Sequence, residues 1–98
     1  HVLAPETIAT ATEEQSSGED AVLLMPMRFA LGFGLEFEER RLSPAGKIFG
    51  HAGMGGSFGY ADPVARMGLG YTMNKMIMPP DMVDPRWMGM FPAIYGSL

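Results

Sequence analysis

The residues with the most chemistry in this chain lie between His51 and Pro63 (HAGMGGSFGYADP) and again between Gly70 and Met76 (GYTMNKM). Gly53, Gly55 and Gly56 remove side chains from a stretch otherwise rich in Phe, Tyr and Ile, so a ligand or another backbone can approach a strand closely there. The same glycines would also serve a tight hairpin turn and a close helix crossing, and spacing alone favours that structural role. His51 is just as open, because one histidine in a half-buried strand is either structural or a handler of protons and substrate. Two other chemistries are excluded. Gly53-Met54-Gly55-Gly56-Ser57 has the look of a phosphate loop but lacks Gly-Lys-Ser/Thr at its end. As a dinucleotide fingerprint it fails too, since Gly59 falls four residues after Gly55 instead of three and a strand follows where a helix is needed. A metal cage has no basis, with His1 and His51 the only histidines, no cysteine, and no His/Asp/Glu spacing to build one. No cofactor is expected.

The elements that must position these residues can be read from periodicity and punctuation. Pro5 at a first helical position and Glu6 in the first turn favour a helix over 4–14, poorly capped because Ala4 offers no acceptor. Gln15 to Asp20 is polar, and 15–26 reads as a loop. From Met27 to Phe37 the odd positions Met27, Phe29, Leu31, Phe33, Leu35 and Phe37 are all apolar, which predicts one strand over 27–37. The charged run Glu38-Glu39-Arg40-Arg41 and Ser43-Pro44-Ala45-Gly46 form a solvated connection. Strands over 47–54 and 57–62 follow as a hairpin turning near Gly55-Gly56, with a further turn at Asp62-Pro63 and a strand over 67–75. Asp84 at the cap and Pro85 at the first position open a helix over 84–97, in which Trp87, Met88, Phe91, Ile94, Tyr95 and Leu98 recur at helical spacing. Pro92 cannot donate to the Met88 carbonyl and is expected to kink or break it. The expected class is α+β, an antiparallel meander flanked by N- and C-terminal helices that cover one face.

Length and composition limit what surrounds these elements. Ninety-eight residues allow one small domain, and the absence of cysteine removes disulfide, thiol and cysteine–metal chemistry. With 11 Asp+Glu against 7 Lys+Arg, nothing can neutralise a run of phosphates, so no nucleic-acid partner is expected. The apolar residues are scattered among glycines, leaving no clear membrane segment. The start at His1-Val2, without initiator Met or leader pattern, reads as a cut or processed end. Lack of cysteine fits a cytoplasm, while a leader ahead of His1 would direct the chain to the periplasm or outside. The methionines gathered in the last third (Met67, Met73, Met76, Met78, Met82, Met88, Met90) suit adaptable packing of sheet against helix, or an adaptable binding surface.

In order and spacing, Phe49 to Ser57, Tyr60 to Pro63 and Gly70 to Met76 resemble the C-terminal segment of the serine β-lactamase-like hydrolases. That group comprises class C β-lactamases, penicillin-binding-protein-like proteins and related esterases, and its segment runs Phe-Gly-His-x-Gly-x-Gly-Gly-Ser, aromatic-Ala-Asp-Pro, then Gly-Tyr-x-x-Asn-Lys/Arg-Met. Asp84-Pro85-Arg86 and Ile94 to Leu98 look like its terminal helix. The resemblance implies a β-lactamase/transpeptidase-like fold and places His51-Ala52-Gly53 at the family's third motif, on the strand that walls the active site. It implies that the Met54 backbone N–H helps hold the oxyanion when a serine attacks an ester or lactam carbonyl. His51, Ala52, Gly53 and Gly55 would line the substrate side, with His51 orienting substrate or supporting proton transfer without being the primary base.

The nucleophile motif Ser-x-x-Lys is missing, because Ser16, Ser17, Ser43 and Ser57 meet Glu19, Asp20, Gly46 and Tyr60 at the third residue on. Tyr-x-Asn/Ser is met only formally by Tyr95-Gly96-Ser97. The expected partners are therefore the N-terminal part of the same protein, carrying nucleophile and base, and a small ester, lactam or peptide substrate. Histidine in place of the third-motif lysine leans toward ester. The competing reading is a non-catalytic relic or partner-binding module that works through an exposed sheet edge.

Overall fold

A computed structural model describes residues 2–37, 41–80 and 84–98; His1, Glu38-Glu39-Arg40 and Met82 lie outside the described residues. Its elements are α1 (Pro5–Ala11), β1 (Ser16–Glu19), β2 (Pro26–Phe29), β3 (Gly34–Leu35), β4 (Phe49–Ala52), β5 (Phe58–Asp62), β6 (Met67–Tyr71) and α2 (Pro85–Gly96). The strands pair in chain order, each antiparallel to the last, as one meander.

The first half departs from the periodicity. The expected strand 27–37 is two strands, because Gly32 takes φ +82 and the Ala30 N–H donates to the Phe33 carbonyl at 2.8 Å, reversing the chain. Pairing Phe29 with Gly34 also moves the odd-numbered residues to the opposite face, so the unbroken alternation spans a turn. The expected loop 15–26 contains β1, whose four residues are all exposed and are held by backbone pairing to β2 with no apolar face to reveal them. α1 stops at Ala11, short of residue 14, as the chain leaves it to place Glu14 on Arg28 at 2.7 Å. It contributes no buried residue and meets the sheet where the Leu31 N–H donates to the Ala11 carbonyl.

The core lies between α2 and the last three strands. Phe58, Tyr60 and Asp62 alternate onto the helix side of β5, with Leu69 and Tyr71 beside them on β6. Trp87, Phe91 and Tyr95 descend one face of α2 at i, i+4, i+8 to meet them. Phe91 is 1% exposed, with its ring 5.3 Å from that of Phe58. Burying such a side chain contributes about 1.5–3 kcal/mol. α2 runs as one helix through Pro92, so the expected break does not occur. Pro92 and Met88 both sit on the exposed side, where water can serve the Met88 carbonyl that proline leaves without a donor, while Phe91 anchors the opposite face. Met88 itself is 51% exposed and Leu98 74%, so neither joins the packing face.

A polar lock closes the end of β5. Asp62, 3% exposed, accepts from the Val64 and Ala65 N–H groups through Oδ1 and from the Tyr95 hydroxyl through Oδ2 at 2.5 Å. Burial pushes the Asp62 carboxyl up, but these hydrogen bonds outweigh it and its pKa lies below the ordinary value. Burial first, then the Asp62 bond and charge, hold the Tyr95 hydroxyl well above the usual tyrosine range.

Candidate active site

β4 and β5 pair from Phe49↔Ala61 to Ala52↔Phe58, and the five residues 53–57 close the hairpin. The Gly53 N–H donates to the Ser57 carbonyl at 2.7 Å and the Gly56 N–H to the Gly53 carbonyl at 3.4 Å. Because Phe58 and Tyr60 face α2, Gly59 and its partner His51 face the other side, where His51 is exposed. The His51 Nδ1 lies 2.6 Å from the Ala52 carbonyl oxygen, which can only accept, so Nδ1 is the donor in this contact and Nε2 is the ring nitrogen left over. Phe29 stacks on the imidazole at 6.4 Å between centroids and 21° between planes, giving it a fixed wall.

The five residues singled out on this strand and loop do not share one surface. His51, Gly53 and Met54 are exposed, Met54 by 74%. Ala52, opposite Phe58, packs its methyl toward the core, so it can offer a substrate only backbone. Gly55 is buried: a Cβ there would fall 2.7 Å from Met76 Cγ and 2.8 Å from Met73 Cε, so the expected substrate contact is covered by methionine. Its φ of +90 and the +122 of Gly56 are what the turn requires of glycine.

The start of α2 holds this loop from beneath. Asp84, 3% exposed, caps the helix by accepting from the Arg86 N–H at 2.9 Å and pairs with the Arg86 guanidinium at 2.6 Å. That guanidinium bond is the main reason the Asp84 carboxyl lies below its ordinary pKa. Arg86 Nη2 also donates to the Gly55 carbonyl and Nη1 to the Lys75 carbonyl, each at 2.8 Å. Trp87 Nε1 donates to the Gly56 carbonyl at 2.8 Å, and the Ile77 N–H joins Arg86 on Gly55. The expected strand 67–75 ends at Tyr71 because the chain then turns across this loop, laying Met73 and Met76 on Gly55. Among the described residues the Met54 N–H donates to nothing in the chain. No group of three metal-ligating side chains occurs among them, and no helix is long and apolar enough to cross a membrane.

The Beta-lactamase family model matches residues 1–89, and the chain belongs to that family. It is 35% identical over 69 residues to the esterase/beta-lactamase LipL of Mycobacterium tuberculosis (strain ATCC 25618 / H37Rv), a match covering 66% of this chain and 14% of that protein. A crystal structure of a family VIII carboxylesterase superposes with TM-score 0.84 at 41% identity, over 95% of this chain and 25% of the other. A novel penicillin-binding protein homolog from Caulobacter crescentus superposes with TM-score 0.82 at 34% identity, over 98% and 26%. The chain thus spans about a seventh of the curated relative and about a quarter of each solved structure. These matches give the chain a β-lactamase-like relationship to serine hydrolases, and among the described residues its antiparallel sheet and two helices match the fold of the two solved structures.

Arg86 and Trp87 escape a reading of the sequence because Asp84-Pro85 explains that stretch as a helix start, and the reach of their side chains 31 positions back depends on tertiary structure. Phe29 against His51 is hidden likewise by the misread hairpin.

Proposed function

We propose that this chain forms one wall of a serine hydrolase active site, esterase in preference to lactamase. The nucleophilic serine and its base come from a part of the polypeptide outside these 98 residues. The observation that carries the reading is the Met54 N–H, which has no partner among the described residues, beside exposed His51, on a loop whose Gly55 and Gly56 carbonyls are tied back toward α2. As the serine oxygen attacks an ester carbonyl, the carbonyl oxygen gains a full negative charge and the Met54 N–H stabilises it. A preorganised donor of this kind contributes roughly 10²–10³ in rate. His51, with Nδ1 engaged, presents Nε2 to the ester or to the water that later releases the acyl group. Esterase is favoured because Arg86, a charged side chain that reaches this loop from α2, is consumed by Asp84 and two carbonyls and does not offer itself to a substrate carboxylate.

The partner in this reading is the N-terminal part of the same protein, docked partly along β6, which pairs on one side only among the described residues. That open edge is also what favours the second reading, a non-catalytic module that adds a partner's strand. A fluorophosphonate probe decides between them. The polypeptide that carries this chain with its upstream sequence is expected to label stoichiometrically on a serine outside residues 1–98, and the 98-residue chain not at all. Labelling of Ser16, Ser17, Ser43, Ser57 or Ser97 refutes the first reading, as does an unlabelled and inactive longer polypeptide.

A further inference from the structure

We infer that Arg86 and Trp87 are positioning residues for the oxyanion donor, acting through the carbonyls of Gly55 and Gly56; the inference rests on the serine hydrolase reading above. The direction of the Met54 N–H is the direction of the Gly53–Met54 peptide plane. That plane is held at its other end by the Gly53 carbonyl, which accepts from the Gly56 N–H at 3.4 Å, a long bond that does little by itself. Gly56 must therefore be fixed by something stronger. Its carbonyl accepts the indole N–H of Trp87, and the preceding carbonyl accepts both Arg86 Nη2 and the Ile77 N–H. The fit is close enough that a Cβ on Gly56 would sit 2.2 Å from Arg86 Nη2 and 2.5 Å from Asp84 Oδ2.

The clamp is itself anchored. Asp84 accepts from Arg86 Nε at 3.0 Å and Nη2 at 2.6 Å, so the planar fork is set before it meets the loop. The Arg86 Cζ lies 5.9 Å from the Tyr71 ring centroid, and the Trp87 ring stands edge-on to Phe58 at 5.3 Å. A helix cap would need only the Asp84 to Arg86 N–H bond. The additional bonds to Gly55, Gly56 and Lys75 join the start of α2 to the loop and to the segment that follows β6 in one rigid corner. Core packing sets the corner, the corner sets two peptide planes, and those planes aim the donor.

The test uses the polypeptide that carries both this chain and the nucleophile. Trp87→Phe keeps the ring on Phe58 and removes only the indole N–H. Arg86→Lys keeps the charge beside Asp84 but cannot bridge Gly55 and Lys75 at once. Each is expected to lower kcat on a neutral ester about 10-fold with KM within about twofold, and to weaken a reversible boronic-acid transition-state analogue in parallel, since an ångström of misplacement can cost up to about 10². If Arg86→Lys does not fold, Trp87→Phe carries the test alone. Unchanged kcat and analogue affinity with only a lower melting temperature would overturn the inference and leave the hydrolase reading intact. A wild-type polypeptide that neither turns over esters nor labels would overturn both.

Discussion

Gly50 and Gly59 lie one register step apart on paired strands, yet alanine should have opposite effects at the two positions. Gly50, in β4 with φ +153, has no room: a Cβ would fall 2.0 Å from the Gly59 carbonyl oxygen, 2.7 Å from Tyr60 Cδ1 and 2.8 Å from Tyr60 Cα. The first of these is roughly 1.4 Å inside ordinary van der Waals contact, which begins near 3.4 Å. Two of the three atoms are backbone of β5, so relief requires prising β4 from β5 by more than a ladder hydrogen bond survives. Overpacking costs about 1–3 kcal/mol and a lost ladder bond about 1 more, giving about 2–4 kcal/mol for Gly50→Ala. At Gly59 nothing lies within 4 Å of where a Cβ would stand, so Gly59→Ala should gain about 0.5 kcal/mol from lower chain entropy in a strand. Hydrogen exchange of the β4 and β5 amides in the polypeptide that carries this chain reads the difference directly. At 1.4 kcal/mol per decade, Gly50→Ala should accelerate exchange roughly 30- to 700-fold and Gly59→Ala should slow it slightly. The packing argument is wrong if Gly50→Ala lies within about 0.5 kcal/mol of wild type.

Tyr95→Phe should cost about 1.5–3 kcal/mol at neutral pH, the range for a hydrogen bond to a charged acceptor. Because Asp62 titrates below its unfolded value of about 3.9 and Tyr95 above its own of about 10, the wild-type advantage is complete between those two pH values. It should fade as pH falls through the lowered Asp62 value or rises through the raised Tyr95 value; a pH-independent gap in urea midpoints would contradict the lock. In the longer polypeptide, His51→Ala should reduce ester turnover about 10–100-fold. Intact acylation with complete loss of turnover would instead make His51 central to deacylation. Gly53→Val should lower turnover, because a Cβ there would fall 2.5 Å from Ser57 Oγ and force the loop beside Met54 to shift; a variant with wild-type kcat/KM would remove Gly53 from the site.

The second half of the chain is legible in its sequence because burial wrote it. Phe58, Tyr60, Leu69 and Tyr71 alternate against one helix, and Trp87, Phe91 and Tyr95 recur at its period, so both periods appear in the residue types. β1 has no such imprint: Ser16-Ser17-Gly18-Glu19 is exposed throughout and is a strand only because β2 supplies hydrogen-bond partners. The 27–37 stretch misleads for a different reason, since a turn at Gly32 can preserve an alternation while exchanging its faces. Pro92 shows a third limit. A missing backbone donor breaks a helix only when no water or tertiary packing compensates, and exposure is not visible in a local pattern.

The glycines of 50–59 carry the same lesson into the site, because one residue type serves four physical needs there. Gly50 lets two strands meet, Gly55 makes room for methionines, Gly56 makes room for an arginine and Gly59 needs no space at all. A glycine-rich stretch therefore marks where backbone must come close to something without saying to what. Here most of that closeness is directed inward, toward α2 and the chain after β6, and it is this inward closeness that leaves the Met54 N–H and the His51 ring as the outward-facing chemistry. Rigidity on one side of the loop and reactivity on the other are then one design constraint. A site built on a five-residue turn can hold a donor still only if the carbonyls of that turn are bound elsewhere.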